Sequence, residues 1–190
     1  MDKPASRPAW PFRRAAACLR AGGLVAYPTE AVYGLGCDPL DEGAISRLLA
    51  VKYRPWSQGL ILVAAQVEQL QPYLATVPES EWNRVLPTWP GPHTWLLPAA
   101  PGLSRLLTGR HERLAVRVSA DPRVAALCRA FGGPLVSTSA NRSGLPPARS
   151  AFAVRRALDG EIDLVVGGAV DRRARPSTIR DARDGRVLRA

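Results

Sequence analysis

Residues 114–138 read LAVRVSADPRVAALCRAFGGPLVST and contain one complete unit of the predicted fold. Residues 114–118 have the alternating pattern of a β-strand. Asp121-Pro122 is a favourable N-cap followed by proline at the first helical position, so a helix begins there, and Gly132-Gly133 ends it. A second apolar strand follows at residues 135–138. This order of strand, helix and strand indicates an α/β fold.

The rest of the chain repeats this mixture of short strands and helices. We predict helices at residues 11–21, 41–51 and 150–158, helical pieces at 66–74 and 79–86, and strands at 24–27, 60–64, 94–97, 164–166, 178–181 and 186–189. Because long helices do not separate every pair of strands, we expect a twisted mixed sheet flanked by helices. The predicted organisation is a disordered lead-in at residues 1–9 and a single domain at residues 10–190.

The composition excludes several classes of protein. The chain has 190 residues, 46% of them apolar, as in globular proteins. Its longest apolar stretch, residues 60–65, is too short for a membrane helix, and its first residues lack the apolar segment of a secretory signal. The three cysteines are too far apart for metal or disulfide spacing, which predicts a cytoplasmic protein. The presence of only two histidines argues against zinc hydrolases.

The charge is strongly basic and unevenly distributed. The formal net charge is +10, and of the 26 basic residues only Lys3 and Lys52 are lysines. Residues 105–190 hold 17 arginines against 8 acidic residues, whereas residues 1–104 are nearly balanced. This pattern suggests an anionic partner, either a phosphorylated small molecule or nucleic acid. An internal lysine in an arginine-rich chain indicates a position that needs a compact ammonium group.

Three polar loops follow apolar strands, at residues 28–38, 137–147 and 171–178. Ligands of open α/β sheets bind where such loops converge. In the first loop, Gly34 and Gly36 permit close backbone approach to a ligand, although a bulged turn explains them equally well. The second loop concentrates hydroxyl and amide groups, which suit either a ligand or a cluster of Ser/Thr turns.

Several cations occupy positions suited to an anionic ligand. Lys52 and Arg54 share a segment, residues 52–58, that we expect to be a polar, exposed loop, so both can face one phosphate; an ordinary cationic helix end is the alternative. Arg117 lies in an apolar strand and needs an anionic partner unless it faces solvent. No nucleophile–base pair is evident, so catalysis would rest on positioning and charge neutralisation.

Six segments together resemble the YrdC/TsaC-type threonylcarbamoyl-AMP synthases, in their short, single-domain bacterial form. They are PTEAVYGLGCDP (28–39), KYRP (52–55) with GLILVAA (59–65), WPGPHTW (89–95), LAVRVSADP (114–122), LVSTSANRSGLPP (135–147) and PSTIRD (176–181). The resemblance implies a YrdC-like fold with a positively charged cavity. It implies conversion of L-threonine, bicarbonate or CO2, and ATP with Mg²⁺ into threonylcarbamoyl-AMP and pyrophosphate. A downstream tRNA threonylcarbamoyl-transferase complex would then modify tRNA beside the anticodon.

The resemblance also implies roles for individual residues. The family's Lys-x-Arg and Ser-x-Asn signature implies four catalytic residues: Lys52, Arg54, Ser139 and Asn141. Threonine would be bound by Thr29, Ser137 and Arg117, with Arg117 on its carboxylate. The nucleotide would be bound by Lys52, Arg54, Gln58, Ser139, Asn141, Arg173 and Ser177, and the metal would be held through ATP. The chain departs from the long family form at Val63, where that form has histidine, and at Pro147, where it has serine.

Two other functions stay open at this point. The uneven charge suits a module that binds tRNA or double-stranded RNA, or one that acts in ribosome maturation without turnover, although the chain lacks an aromatic stacking pattern. The same type of domain also occurs as a regulatory part of larger carbamoyl-transfer enzymes. No membrane partner is expected.

Overall fold

The structure is a computed structural model that describes residues 10–171, 173–174 and 177–189; the predicted lead-in, residues 1–9, lies outside them. Within that part of the chain, the helices are α1 (Trp10–Arg20), α2 (Glu42–Val51), α3 (Glu79–Val85), α4 (Arg105–Thr108), α5 (Pro122–Phe131) and α6 (Ala151–Leu158). The strands are β1 (Val25–Pro28), β2 (Tyr33–Cys37), β3 (Ile61–Ala64), β4 (His93–Pro98), β5 (Arg113–Val118), β6 (Leu135–Ser139), β7 (Leu164–Val165), β8 (Thr178–Asp181) and β9 (Val187–Arg189).

All nine strands join one sheet in the order β7-β1-β2-β6-β3-β5-β4-β8-β9. The pairs β1–β7, β3–β5 and β4–β8 are parallel, and the other five pairs are antiparallel. The prediction of a mixed sheet flanked by helices is therefore confirmed. Among the described helices, none is long and apolar enough to cross a membrane.

Helix starts agree closely with the sequence signals. Asp41 accepts a hydrogen bond from the backbone N–H of Ala44 at 2.9 Å, and Asp121 accepts one from Arg123 at 2.8 Å. Ser150 caps α6 in the same way. Each side chain satisfies an N–H group that has no partner inside its helix, which fixes where the helix begins.

Some elements differ from the sequence predictions. Residues 66–74 form two short 3-10 turns rather than a helix, since Pro72 interrupts the backbone hydrogen bonding there. The short helix α4 was not predicted, because a single turn carries too little periodic signal. The connection expected at residues 29–38 is shorter, because residues 33–37 form the fully buried strand β2.

The glycines of β2 make room for an aromatic ring, so the alternative of a bulged turn is wrong. Tyr27 pairs with Gly34 in the sheet, and a Cβ added at Gly34 or Gly36 would lie 3.0–3.1 Å from the Tyr27 ring. At Gly36 the same Cβ would also lie 2.5 Å from the carbonyl oxygen of Val136 on β6. The tyrosine hydroxyl donates to Ser137 Oγ at 2.8 Å. These two glycines thus let Tyr27 cross β2 and reach β6.

Helices cover the two sheet faces unequally. One face packs against α2, α3 and α6 through a large apolar core that includes Ile45, Leu48 and Val154. The other face packs against α1 and α5 through a smaller core, in which Leu19 and Leu127 meet side chains of β1, β3 and β6. Beyond the small core, the same face carries polar side chains from the sheet centre, and this is where the cavity lies.

We expect Gly36→Ala to lower the free energy of unfolding by about 2–3 kcal/mol, because the added methyl group overlaps Val136 and Tyr27 in a strand held on both sides. Gly167→Ala is the matched control, since its Cβ would meet no heavy atom within 4 Å. It should change the free energy by less than about 0.5 kcal/mol. Chemical denaturation measures both, and equal stabilities would contradict the packing described.

Candidate functional site

A cavity of about 590 Å³ lies against the centre of the sheet. Its floor consists of side chains that strand alternation places on one face: Ile61 and Val63 of β3, Ser137 and Ser139 of β6, and Arg117 of β5. Its walls are the turn at residues 29–32, the segment after α2 and the loop after β6. A volume of this size is typical of pockets that hold small ligands.

Nine of the ten residues that the sequence predicted for the site line this cavity. They are Thr29, Lys52, Arg54, Gln58, Arg117, Ser137, Ser139, Asn141 and Ser177. Val63 and Pro147, the two departures from the long family form, also line it. Arg173 is the exception: it is exposed, and its main-chain N–H donates to Asp171 Oδ1 at 2.8 Å.

Lys52 is buried, with only 2% of its surface exposed, so the expectation of an exposed loop is wrong at this residue. Its Nζ donates to the carbonyl oxygens of Ser139 at 2.5 Å and Asn141 at 2.6 Å. In return, the N–H of Ser143 donates to the Lys52 carbonyl at 2.8 Å. The lysine therefore joins the end of α2 to the loop after β6, which brings the two signature motifs together.

Burial also alters the acidity of Lys52. Desolvation, with a smaller contribution from the nearby Arg54 guanidinium, lowers its pKa from 10.5 to about 8. The two carbonyl acceptors favour the charged form and oppose this shift. At neutral pH the ammonium is thus still protonated, in an environment where a charge interacts strongly with an anion.

Two buried polar atoms of the site lack a hydrogen-bond partner among the described residues: Nε of Arg54 and Oδ1 of Asn141. Arg54 Nη2 donates to Gly59 O at 2.9 Å, and Asn141 Nδ2 donates to Leu145 O at 2.6 Å, so both side chains are held in place. Buried polar atoms normally have partners. Both atoms are also shielded from solvent, so one donor and one acceptor of these two side chains are unused within the described residues.

Arg117 has a partner inside the protein. Its Nη2 lies 2.5 Å from Glu30 Oε1, and its Nε donates to Gly91 O at 2.8 Å. Ser119 Oγ donates to the same Glu30 oxygen at 3.0 Å. This explains how an arginine fits in an otherwise apolar strand, and it fixes the direction of the guanidinium at the cavity edge.

Sequence reasoning missed Glu30 and Arg189 as lining residues. Glu30 lies inside the quoted motif beside Thr29, so its position was a usable signal. Arg189 gave none, because it belongs to an exposed edge strand that the topology brings back to the cavity. Desolvation lowers the pKa of Arg189. The pKa of Arg54 is lowered too, mainly by its burial and to a smaller extent by the charge of Arg189.

The described lining residues carry four cations, Lys52, Arg54, Arg117 and Arg189, against one carboxylate, Glu30. The carboxylate is engaged by Arg117, which leaves the cations near Arg54 without an acidic neighbour among the lining residues described. Such an excess favours an anionic ligand at that end of the cavity. Among these lining residues, Arg117 thus has a carboxylate partner and Arg54 has none.

We expect Lys52→Ala to lower the free energy of unfolding by about 2–3 kcal/mol, because it leaves the carbonyls of Ser139 and Asn141 buried with one hydrogen bond fewer each. The exposed Arg110 offers a matched control, and Arg110→Ala should cost less than about 0.5 kcal/mol. Denaturant titration of both variants checks this. An unchanged stability of Lys52→Ala would show that the lysine does not hold the two segments together.

Comparison with known proteins agrees with this geometry. The family model Sua5/yciO/yrdC, described as telomere recombination, matches residues 17–190. The threonylcarbamoyl-AMP synthase of Alkalilimnicola ehrlichii is 55% identical over 186 residues, which are 96% of this chain and 97% of that protein.

Two solved structures are also similar. One is Sua5 of P. abyssi complexed with L-threonine, with a TM-score of 0.84 and 38% identity over 90% of this chain; the match spans only 51% of the Sua5 chain. The other is YciO of E. coli, with a TM-score of 0.83 and 27% identity, covering 99% of this chain and 91% of that one.

Proposed function

The chain belongs to the Sua5/YciO/YrdC family, and we propose that it is a threonylcarbamoyl-AMP synthase that holds threonine and ATP at opposite ends of the one cavity. The observation that carries this proposal is that seven predicted side chains meet in one cavity. We assign Lys52, Arg54, Ser139 and Asn141 to its nucleotide end, and Thr29, Ser137 and Arg117 to its threonine end. The product serves tRNA modification.

The reaction needs no protein nucleophile. The amino group of threonine combines with bicarbonate or CO2 to form a carbamate. A carbamate oxygen then attacks the α-phosphorus of ATP, the bond between the α-phosphorus and the bridging oxygen breaks, and pyrophosphate leaves with its electron pair. The protein's tasks are to hold the two reactants in contact and to stabilise the charge that develops on the phosphate oxygens.

We assign the nucleotide to the end that has uncompensated cations. Arg54 lines the cavity there, and its guanidinium would donate to a phosphate oxygen. The buried ammonium of Lys52 adds a compact charge beside it. The Ser139 hydroxyl and the free Asn141 oxygen would contact the nucleotide from the other wall, and Gln58 and Ser177 complete this end.

We assign the carboxylate of threonine to Arg117, whose guanidinium also bonds the carboxylate of Glu30. The Thr29 hydroxyl donates to Val32 O at 2.7 Å and keeps its lone pairs for the substrate hydroxyl. Ser137 accepts from Tyr27 and can donate its own hydrogen to the ligand. Arg173 stays a proposed nucleotide contact on the resemblance alone, since it is not among the described lining residues.

Magnesium is proposed to enter with ATP. Among the described residues, no three His, Cys, Asp or Glu side chains cluster as metal ligands, and the lining carboxylate Glu30 is engaged by Arg117 and Ser119. This donor set fits an ion held by phosphate oxygens and water, which is how Mg²⁺ commonly binds with nucleotides. The ion would neutralise charge on the leaving pyrophosphate.

We also propose a cytoplasmic location, because the three cysteines are free thiols, as expected in a reducing compartment. The product would pass to a tRNA threonylcarbamoyl-transferase complex. Direct contact of this chain with tRNA or double-stranded RNA stays a prediction from its uneven charge.

The purified protein should release pyrophosphate only when ATP, threonine and bicarbonate are all present, and Ser139→Ala should reduce the rate by roughly 100-fold through loss of one positioned donor. The control is Ser80→Ala, since Ser80 is exposed on α3 and does not line the cavity. Threonylcarbamoyl-AMP measured by chromatography confirms the product. Pyrophosphate release without threonine would overturn the proposed function.

Arg117→Lys should raise the KM for threonine by roughly tenfold or more and the KM for ATP by much less. Lysine keeps the charge but cannot form a two-pronged bond to a carboxylate. Steady-state kinetics with each substrate varied in turn provides the measurement. Equal changes in both KM values would assign Arg117 a purely structural role.

A further inference from the structure

Arg123 is not one of the described residues that line the cavity. Its side chain nevertheless forms a hydrogen bond to the turn at residues 29–32, which is one wall of the cavity. It is the second residue of α5, and its Nη2 donates to the carbonyl oxygen of Thr29 at 3.0 Å. Its Nη1 donates to the carbonyl oxygen of Ala169, in the segment that follows β7. One guanidinium thus joins two loops to the start of a helix.

This guanidinium is itself fixed. Nε and Nη2 donate to the two oxygens of Asp121 at 2.9 and 2.6 Å, which is the paired geometry that orients an arginine best. Asp121 is buried; burial alone would raise its pKa, but the hydrogen bonds from Arg123 bring that pKa below its usual value. The carboxylate is therefore charged at neutral pH and serves both as helix cap and as anchor.

The helix behind the pair offers a rigid support. Val124 and Leu127 of α5 are buried against Val63 and Leu135, which belong to the central strands β3 and β6. The position of Arg123 relative to the cavity floor is thereby set by apolar packing. A carbonyl bonded to Arg123 is held at a fixed distance from that floor.

The turn carries this constraint to the threonine end. Thr29 and Glu30 are consecutive, so fixing the Thr29 carbonyl also fixes the backbone from which the Glu30 side chain extends. Glu30 Oε1 is the acceptor for both Arg117 and Ser119. A displaced turn would therefore change the direction of the Arg117 guanidinium as well as the place of the Thr29 hydroxyl.

The segment beyond β7 is attached to the same turn by further bonds. The Tyr33 hydroxyl donates to the carbonyl of Gly168 at 2.6 Å, and the N–H of Asp171 donates to the carbonyl of Glu30 at 2.9 Å. With the bond from Arg123 to Ala169, the two loops form one unit. This unit is at the threonine end. Among the described residues, the hydrogen bonds from α5 side chains to this unit come from Arg123.

We propose that Arg123, oriented by Asp121, is a positioning residue that sets the affinity of the cavity for threonine from outside the cavity. The inference rests on the proposed function for the identity of the ligand. Arg123 acts through Thr29 and, by way of Glu30, through Arg117. The nucleotide end depends on Lys52 and the loop after β6, so it should be insensitive to Arg123.

The experiment compares Arg123→Ala with Arg123→Lys and Asp121→Asn. Arg123→Ala should raise the KM for threonine, and its calorimetric Kd, by roughly 10- to 100-fold, because small displacements of positioning groups have effects of this size. The KM for ATP should change by less than about twofold. Lysine can still reach the Thr29 carbonyl with one donor, so Arg123→Lys should recover part of the affinity. Asparagine still caps the helix, so Asp121→Asn should loosen the arginine without unfolding α5.

Arg20→Ala is the matched control. Arg20 Nη2 donates to the carbonyl of Phe131 at 3.0 Å, so it attaches the opposite end of the same helix α5. This variant should lose comparable stability and keep its threonine affinity. An unchanged threonine KM in Arg123→Ala, an equal rise in both KM values, or the same rise in Arg20→Ala would overturn the inference. If Arg123→Ala does not fold, the same comparison of the KM for threonine with the KM for ATP in Asp121→Asn decides.

The proposed function fails separately from this inference. If the wild-type protein neither binds threonine nor needs it for pyrophosphate release, the function is wrong whatever Arg123 does. If Arg117→Lys weakens threonine binding while the Arg123 and Asp121 variants do not, the function stands and the inference alone is wrong.

Discussion

The site depends on one buried ammonium group. Lys52 is the C-cap residue that directly follows α2. Its acceptors are the carbonyl oxygens of Ser139, the last residue of β6, and Asn141, in the loop after β6. The same two segments are also joined by the main-chain bond from Ser143 to Lys52 and by the Arg142 guanidinium, which lies 5.1 Å from the centroid of the Tyr53 ring. A lysine suits this place because a compact ammonium can donate to two carbonyls at once and still carry a charge.

The cavity contains one cation that is paired with a carboxylate and another that is not. Arg117 is compensated by Glu30, so it is held precisely and its field is reduced. Arg54 lies near Arg189 with no acid beside it among the described lining residues, and burial lowers its pKa. A compensated cation can select one carboxylate by geometry, whereas an uncompensated pair attracts a highly charged group such as a triphosphate.

Much of the fold and the site follows from local sequence signals. The N-caps at Asp41 and Asp121 and the apolar strands around residues 60–64 and 135–138 are read correctly, because each depends on neighbouring residues. The burial of Lys52 could not be read, since its acceptors lie 87 and 89 residues further along the chain. Arg189 reaches the cavity because β9 pairs with β8 and β8 pairs with β4. No local sequence pattern predicts the pairing of β8 with β4. The motif resemblance named nine of the lining residues as site residues, but it did not show how the chain brings them together.

The cavity floor is part of a continuous sheet, and this limits how the protein can change over evolutionary time. Neighbouring strands are held at a nearly constant spacing, so a floor residue can be exchanged for one of similar size but cannot be displaced. The walls, in contrast, are the turn at 29–32 and the loop after β6, which tolerate changes in length. New substrate preferences in proteins built this way should therefore arise mainly by remodelling of loops, because a substitution on the floor also disturbs the packing of the sheet.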